Sequence, residues 1–220
     1  MLAKNLISET VPPLRKSDNG EKALQWMHEF AVDQLPIVHD GKLLNLISME
    51  DVINAGDFEL PLAEYKTSFA HPFVFEHAHI LEVVRLSNKL NIGTIPVLDE
   101  EENYVGLITA EELPKGLNTF SSLQPEGSII ELEMPLRDYS LYEVSRIVES
   151  NELQILSCFT NIRAEVAVAE VTLKLNSANL SALIAAFERH GILVKAVHQE
   201  TEYTEDLKAR YDSFMRYLNV

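Results

Sequence analysis

The sequence predicts an α+β chain of two parts, a duplicated β-α-β-β-α unit followed by a single βαββαβ unit. Three observations carry this. Residues 35–51, LPIVHDGKLLNLISMED, return sixty residues later as residues 95–112, IPVLDEEENYVGLITAEE. A polar, turn-rich stretch at 118–128, NTFSSLQPEGS with its flanks, then breaks the pattern. Beyond it the apolar residues adopt a different order of strand-like and helix-like runs.

The duplication sets the first part. Pro36 falls on Pro96, Ser48 on Thr109 and Asp51 on Glu112, and further back Pro12 falls on Pro72. Ala23, Leu24, Met27, Phe30 and Ala31 follow helical spacing, as do Ile80, Val83, Val84, Ser87 and Leu90. Each copy then reads as strand, turn, strand and capped helix start. Asp40-Gly41 supplies a tight hairpin in the first copy. The acidic run at 99–103 carries one extra residue and predicts a looser turn. The repeats are placed at 1–60 and 61–117.

An apolar residue, Pro, two apolar residues, a turn, then Gly-apolar-apolar-Thr-x-x-acidic resembles the cystathionine-β-synthase (CBS) domain, and two copies resemble its tandem pair. The resemblance implies two sheets packed about a pseudo-twofold axis, with clefts for an adenosine-containing ligand: AMP, ADP, ATP or S-adenosylmethionine. Carried onto this chain, the implied ligand-binding residues are Pro36, Ile37, His39, Ser48 and Asp51, with Pro96, Val97, Thr109 and Glu112 in the second copy. The acidic residue would take ribose hydroxyls and the hydroxyl residue a phosphate. The same Ser48-x-x-Asp51 and Thr109-x-x-Glu112 spacings also read as capping boxes, and the two roles are compatible. The copies depart from the pattern in different ways. Asn45 replaces the glycine kept as Gly106, Glu112 is one methylene longer than Asp51, and Pro13 and Phe73 stand where a small hydroxyl residue is usual. The clefts are therefore expected to be unequal.

The second part, 129–199, begins with a strand-like run to Met134. Leu141, Val144, Ile147 and Val148 mark a helix face, residues 153–159 are apolar, and Val166, Val168, Val171, Leu173 and Leu175 largely alternate. Leu180, Leu183, Ile184 and Phe187 form a second stripe closed by Gly191, and 192–197 is a last strand. This order predicts an antiparallel sheet with both helices on one face. Beside a CBS pair it resembles the ACT domain, a regulatory module that implies homodimer formation and an amino-acid site at Asp138 and Ser140, although the usual glycine there is absent. In the tail, 200–220, Leu207, Tyr211, Phe214, Met215 and Leu218 share one helical face.

Asp and Glu outnumber Lys and Arg by 34 to 18, a formal net charge of -16. Such a field opposes nucleic acid and anionic membrane surfaces as partners. The single Cys158 suits a reducing compartment and fits a small apolar strand residue. Residues 1–13 have no apolar run of signal-peptide length and no stretch approaches a membrane span, so a cytoplasmic chain is expected. His71, Glu76, His77 and His79 read as loop or surface residues rather than as a metal cluster. No P-loop, dinucleotide fingerprint or nucleophile elbow is present. The expected function is therefore a non-catalytic sensor without a catalytic cofactor, binding an adenine nucleotide or related adenosyl ligand and signalling through the ACT-like domain or tail to itself or another protein. The alternatives are an oligomerisation protein with degenerate clefts and, last, an accessory protein of the acetoin-utilisation type.

Overall fold

The computed structural model describes residues 1–68, 71–118, 120 and 127–199. The predicted tail helix and most of the predicted linker lie outside these residues. The chain divides into two compact units, Met1–Thr119 and Phe120–Val220.

In the first unit, repeat one runs β1 (Leu14–Arg15), α1 (Gly20–Glu29), β2 (Gln34–His39), β3 (Lys42–Ser48) and α2 (Met49–Ala55). Repeat two runs β4 (Val74–Phe75), α3 (Ile80–Leu90), β5 (Thr94–Leu98), β6 (Tyr104–Thr109) and α4 (Glu112–Leu117). Each builds a three-stranded sheet, β1-β2-β3 and β4-β5-β6, with the first pair parallel and the second antiparallel. The repeated prolines fit because the first strand is so short. β1 pairs only with Ile37 and Val38 of β2, so on the β1 side Pro36 precedes the pairing and its missing N–H leaves no gap there, while on the other side it lies opposite Leu46 of β3. Asp40 and Gly41 both have positive φ, 49° and 77°, as a two-residue hairpin requires. In copy two the longer loop is held by Asp99, whose carboxylate accepts from Asn103 N at 2.7 Å and Nδ2 at 2.9 Å.

α1 is capped by Asn19, whose side chain accepts from Lys22 N at 3.0 Å. Its apolar stripe packs Ala23 and Met27 onto Leu14, Leu35, Ile37 and Ile47. Full burial of a Leu or Ile contributes about 1.5–3 kcal/mol, so this cluster anchors the repeat. Leu107 of β6 belongs to the same cluster, which ties the repeats together.

The lead-ins to the two repeats cross. The 3-10 turn Ala3–Leu6 precedes repeat one yet docks on repeat two, with Ala3 N donating to Ala78 O at 2.8 Å and Lys4 N to Glu76 O at 3.0 Å. Its counterpart, Leu62–Glu64, precedes repeat two and docks on repeat one, with Leu62 N donating to Asp18 O at 2.7 Å and Ala63 N to Lys16 O at 3.0 Å. This exchange carries each lead-in across the helix start of the other repeat.

The second unit runs β7 (Ser128–Pro135), α5 (Leu141–Ser150), β8 (Ile155–Arg163), β9 (Val168–Leu175), α6 (Ser181–Arg189) and β10 (Leu193–Gln199), with antiparallel order β10-β7-β9-β8. Alternation along β7 sends Ile130, Leu132 and Met134 into a core shared with Val144, Ile147, Leu183 and Phe187 of the helices. Cys158 packs at the edge of that core. Arg163 and Lys195 each pair with both Glu133 and Glu170, at 2.7–3.4 Å. β8 is an edge strand that leaves Phe159 and Ile162 exposed. Among the described residues no helix is long and apolar enough to cross a membrane.

Candidate functional site

Two hollows lie where lead-in and helix start meet. The first, about 550 Å³, is lined by Gln34, Ser48, Met49, Glu50 and Ser68 among others. The capping box forms here. Ser48 Oγ accepts from Asp51 N at 3.0 Å, and Asp51 Oδ2 accepts from Ser48 N at 2.9 Å. Asp51 is only 6% exposed. Its other oxygen, Oδ1, accepts from Ser68 N at 3.1 Å and from the Ser68 hydroxyl. A carboxylate offers about four acceptor positions, so three are taken within the protein. Asn45, standing where the pattern has glycine, donates to the Thr67 hydroxyl and accepts from Leu46 N at 2.9 Å, which fixes the lead-in beside Ser68.

The second hollow, about 430 Å³, is lined by Ile7, Ser8, Thr10, Glu111, Glu112 and Lys115 among others. The capping box expected from Thr109 and Glu112 does not form. α4 begins at Glu112 and its cap, Glu111, makes no side-chain bond. The cause is Pro114. A helix capped by Thr109 would place this proline fifth, where a backbone N–H should donate, whereas a start at Glu112 places it third, where the N–H has no intrahelical acceptor. Glu112 turns instead to Lys115 at 3.0 Å, and Glu111 does the same at 2.8 Å. The hydrogen bonds that Lys115 donates to these two carboxylates hold its ammonium above its ordinary range. The open backbone implied at Gly106 is also taken. A Cβ there would lie 2.3 Å from Ile7 Cγ2, so the lead-in itself occupies the approach.

Charge distinguishes these hollows from phosphate sites. Among the described residues, the first has Asp33 and Glu50 in its wall and no Lys, Arg or His. The second has Glu9, Glu111 and Glu112 against one lysine already paired twice.

The other predicted residues are placed as follows. Pro36, Ile37, Pro96 and Val97 are buried in the strands, where their side chains serve the core. His39 lies at the far end of β2, beside Asp40 at 3.3 Å, in a different hollow that also includes Pro13. Phe73 lines the equivalent hollow of copy two. His77 stacks on Phe75 and His79 caps α3. In the second unit, Asp138 meets Arg137 at 3.5 Å, and Ser140 caps α5 by accepting from Glu143 N at 3.4 Å. The residue that sequence reading missed is Ser68. Its signal was the repeat itself, since Ser68 falls on Ser8 at the same offset of sixty.

Residues 3–57 and 68–117 match the CBS domain family. The first unit is thus a tandem CBS domain pair. Among curated proteins, an uncharacterized protein of Methanocaldococcus jannaschii is 24% identical over 103 residues, covering 47% of this chain and 39% of its own length. An uncharacterized protein of Rickettsia prowazekii is 28% identical over 126 residues, covering 55% and 36%. The chain spans less than two fifths of the length of these relatives. Among solved structures, a CBS domain pair/ACT domain protein from Thermotoga maritima has TM-score 0.49 and 20% identity, covering 54% of this chain and 98% of that one. A putative acetoin utilization protein from Vibrio cholerae has TM-score 0.48 and 24% identity, covering 56% and 95%.

Proposed function

We propose that this protein is a non-catalytic ligand sensor whose CBS pair takes an adenosine-containing ligand at Asp51. The observation that carries the reading is the Asp51 carboxylate, buried and fixed by the capping box beside a hollow of about 550 Å³. Ser68 donates two hydrogen bonds to Asp51 Oδ1, one from its N–H and one from its hydroxyl. A ribose 2′,3′-diol also offers two donors. The ligand therefore exchanges with Ser68, bond for bond, and in doing so releases the Ser68 end of the lead-in to repeat two from Asp51 of repeat one. Ligand binding favours one arrangement of the repeats over another by the difference in affinity for the two. In this reading the second unit acts as an ACT-like output module, and the exposed apolar edge at Phe159 and Ile162 suits pairing with a second copy.

The acidic wall selects the ligand. With Asp33 and Glu50 present and, among the described residues, no lysine or arginine in the wall to offset them, a nucleotide phosphate meets repulsion, whereas an uncharged nucleoside or the S-adenosylmethionine sulfonium does not. Calorimetry with adenosine, methylthioadenosine, S-adenosylmethionine, AMP and ATP tests this. Heat with the first three, exceeding that with AMP and ATP, is expected; no heat with any of them removes the reading.

A second reading, an oligomerisation protein with closed clefts, is favoured by the internal satisfaction of Asp51 and by Ile7 over Gly106. It predicts a stable oligomer indifferent to every adenosyl compound.

A further inference from the structure

A third hollow, about 580 Å³, opens between the β1–α1 turn, α1 and the end of β2 in repeat one. Its wall carries Arg15, Lys16 and Lys22 against Asp18 and Asp40, with Trp26 and the Pro12-Pro13 pair as an apolar side. In a chain of net charge -16 this is a local excess of positive charge.

The charges have different duties. Lys22 is held, with its ammonium 2.8 Å from Asp18 Oδ1 and 4.3 Å from the centre of the Trp26 ring. Asp18 also accepts from Arg15 N at 2.8 Å, which fixes the turn on which Arg15 and Lys16 stand. Among the described residues, Arg15 and Lys16 themselves form no ion pair within 4.0 Å.

The duplication separates what the fold needs from what this hollow has added. The equivalent hollow of repeat two, about 400 Å³, exists with a different lining. At the offset of sixty, Arg15 becomes Phe75, Lys16 becomes Glu76, Asp18 becomes Ala78, Lys22 becomes Glu82 and Trp26 becomes Leu86. A concavity there is a consequence of the topology; the basic turn, its aspartate clamp and the indole belong to copy one alone.

We infer that the hollow of repeat one binds a small organic phosphate, its anionic group at Arg15 and Lys16 and its apolar body against Trp26 and the prolines. The volume lies within the range of small-molecule sites, and charge-assisted bonds from Arg and Lys are the strong ones for phosphate. This inference is independent of the reading at Asp51, whose hollow is acidic.

Trp26 is the sole tryptophan of the chain, so indole emission reports on this hollow. Phenyl phosphate is titrated into the full chain at constant ionic strength, followed by emission and in parallel by calorimetry. A saturable signal is expected, weakened at least about tenfold in the R15Q/K16Q double variant and retained in R85Q, which removes an arginine from the copy-two hollow. Far-UV circular dichroism confirms that the variants fold. Absence of both heat and emission change, equal binding by R15Q/K16Q, or equal loss in R85Q overturns the assignment.

Discussion

Gln34 and Thr94 occupy the same position in the two repeats, sixty residues apart, and hydrogen-bond to each other between β2 and β5. Thr94 Oγ1 donates to Gln34 O at 3.3 Å, or to its Oε1 at 3.4 Å, and Gly93 N donates to the same Oε1 at 3.1 Å. Gln34 and Thr94 are buried, so water does not substitute freely. Gln34→Ala leaves the Gly93 N–H without its acceptor, and a loss of about 1–3 kcal/mol is expected. Urea denaturation of the wild type and variant measures it.

Asp51 and Glu112 share a motif position but not a structural duty. Asp51→Ala strips the acceptor from Ser48 N, Ser68 N and the Ser68 hydroxyl at a buried site, for an expected cost of about 2–3 kcal/mol. Glu112→Ala removes a surface contact to Lys115 and is expected to cost less than about 0.5 kcal/mol. The same denaturation experiment separates them, and equal costs would contradict the assignment.

Gly106 leaves room for Ile7. A Cβ at 106 falls 2.3 Å from Ile7 Cγ2, so Gly106→Ala should destabilise by about 1–3 kcal/mol through overpacking. The Ile7→Ala/Gly106→Ala double variant should recover part of this loss relative to the sum of the single costs. Additive costs in a double-mutant cycle would show that the two side chains do not meet.

Acid should release the clamp at the β1–α1 turn. Burial raises the Asp18 carboxyl, but the bonds from Lys22 and Arg15 N outweigh it and the net shift is below the ordinary 3.8. A carboxylate with a depressed folded pKa contributes its full stability above the unfolded value and loses it as pH falls through the folded one. Asp18→Asn should therefore be less stable than wild type at pH 6, with the gap closing below about pH 4. Thermal unfolding from pH 2.5 to 7 reads this, and a gap independent of pH would contradict it.

The repeat order was legible because two periodicities and a shared Pro36/Pro96 frame mark it, and because Asp40-Gly41 admits few turns. The βαββαβ order was legible from the strand-like run to Met134, the alternation in β9 and the stripe ending at Phe187. The crossing of the lead-ins was not, because Ala3, Lys4, Leu62 and Ala63 dock through backbone groups that any residue type carries. The failed cap at Thr109 had a visible cause in Pro114, but its consequence depends on where the helix starts, which spacing alone does not decide. His39, expected to line a cleft and meet phosphate because it directly follows the Pro36-Ile37-Val38 strand, is carried by that strand to the end away from Ser48, into the basic hollow. Ser68 was concealed because Asp51 and its partner are seventeen residues apart and meet only through the crossing.

The most direct test of the central claim is a crystal structure of the chain soaked with S-adenosylmethionine or methylthioadenosine. Ribose density is expected on Asp51 Oδ1, with Ser68 displaced and the Ser48–Asp51 box intact. Adenosyl density elsewhere, or an occupied hollow in which Ser68 still donates to Asp51, would contradict it.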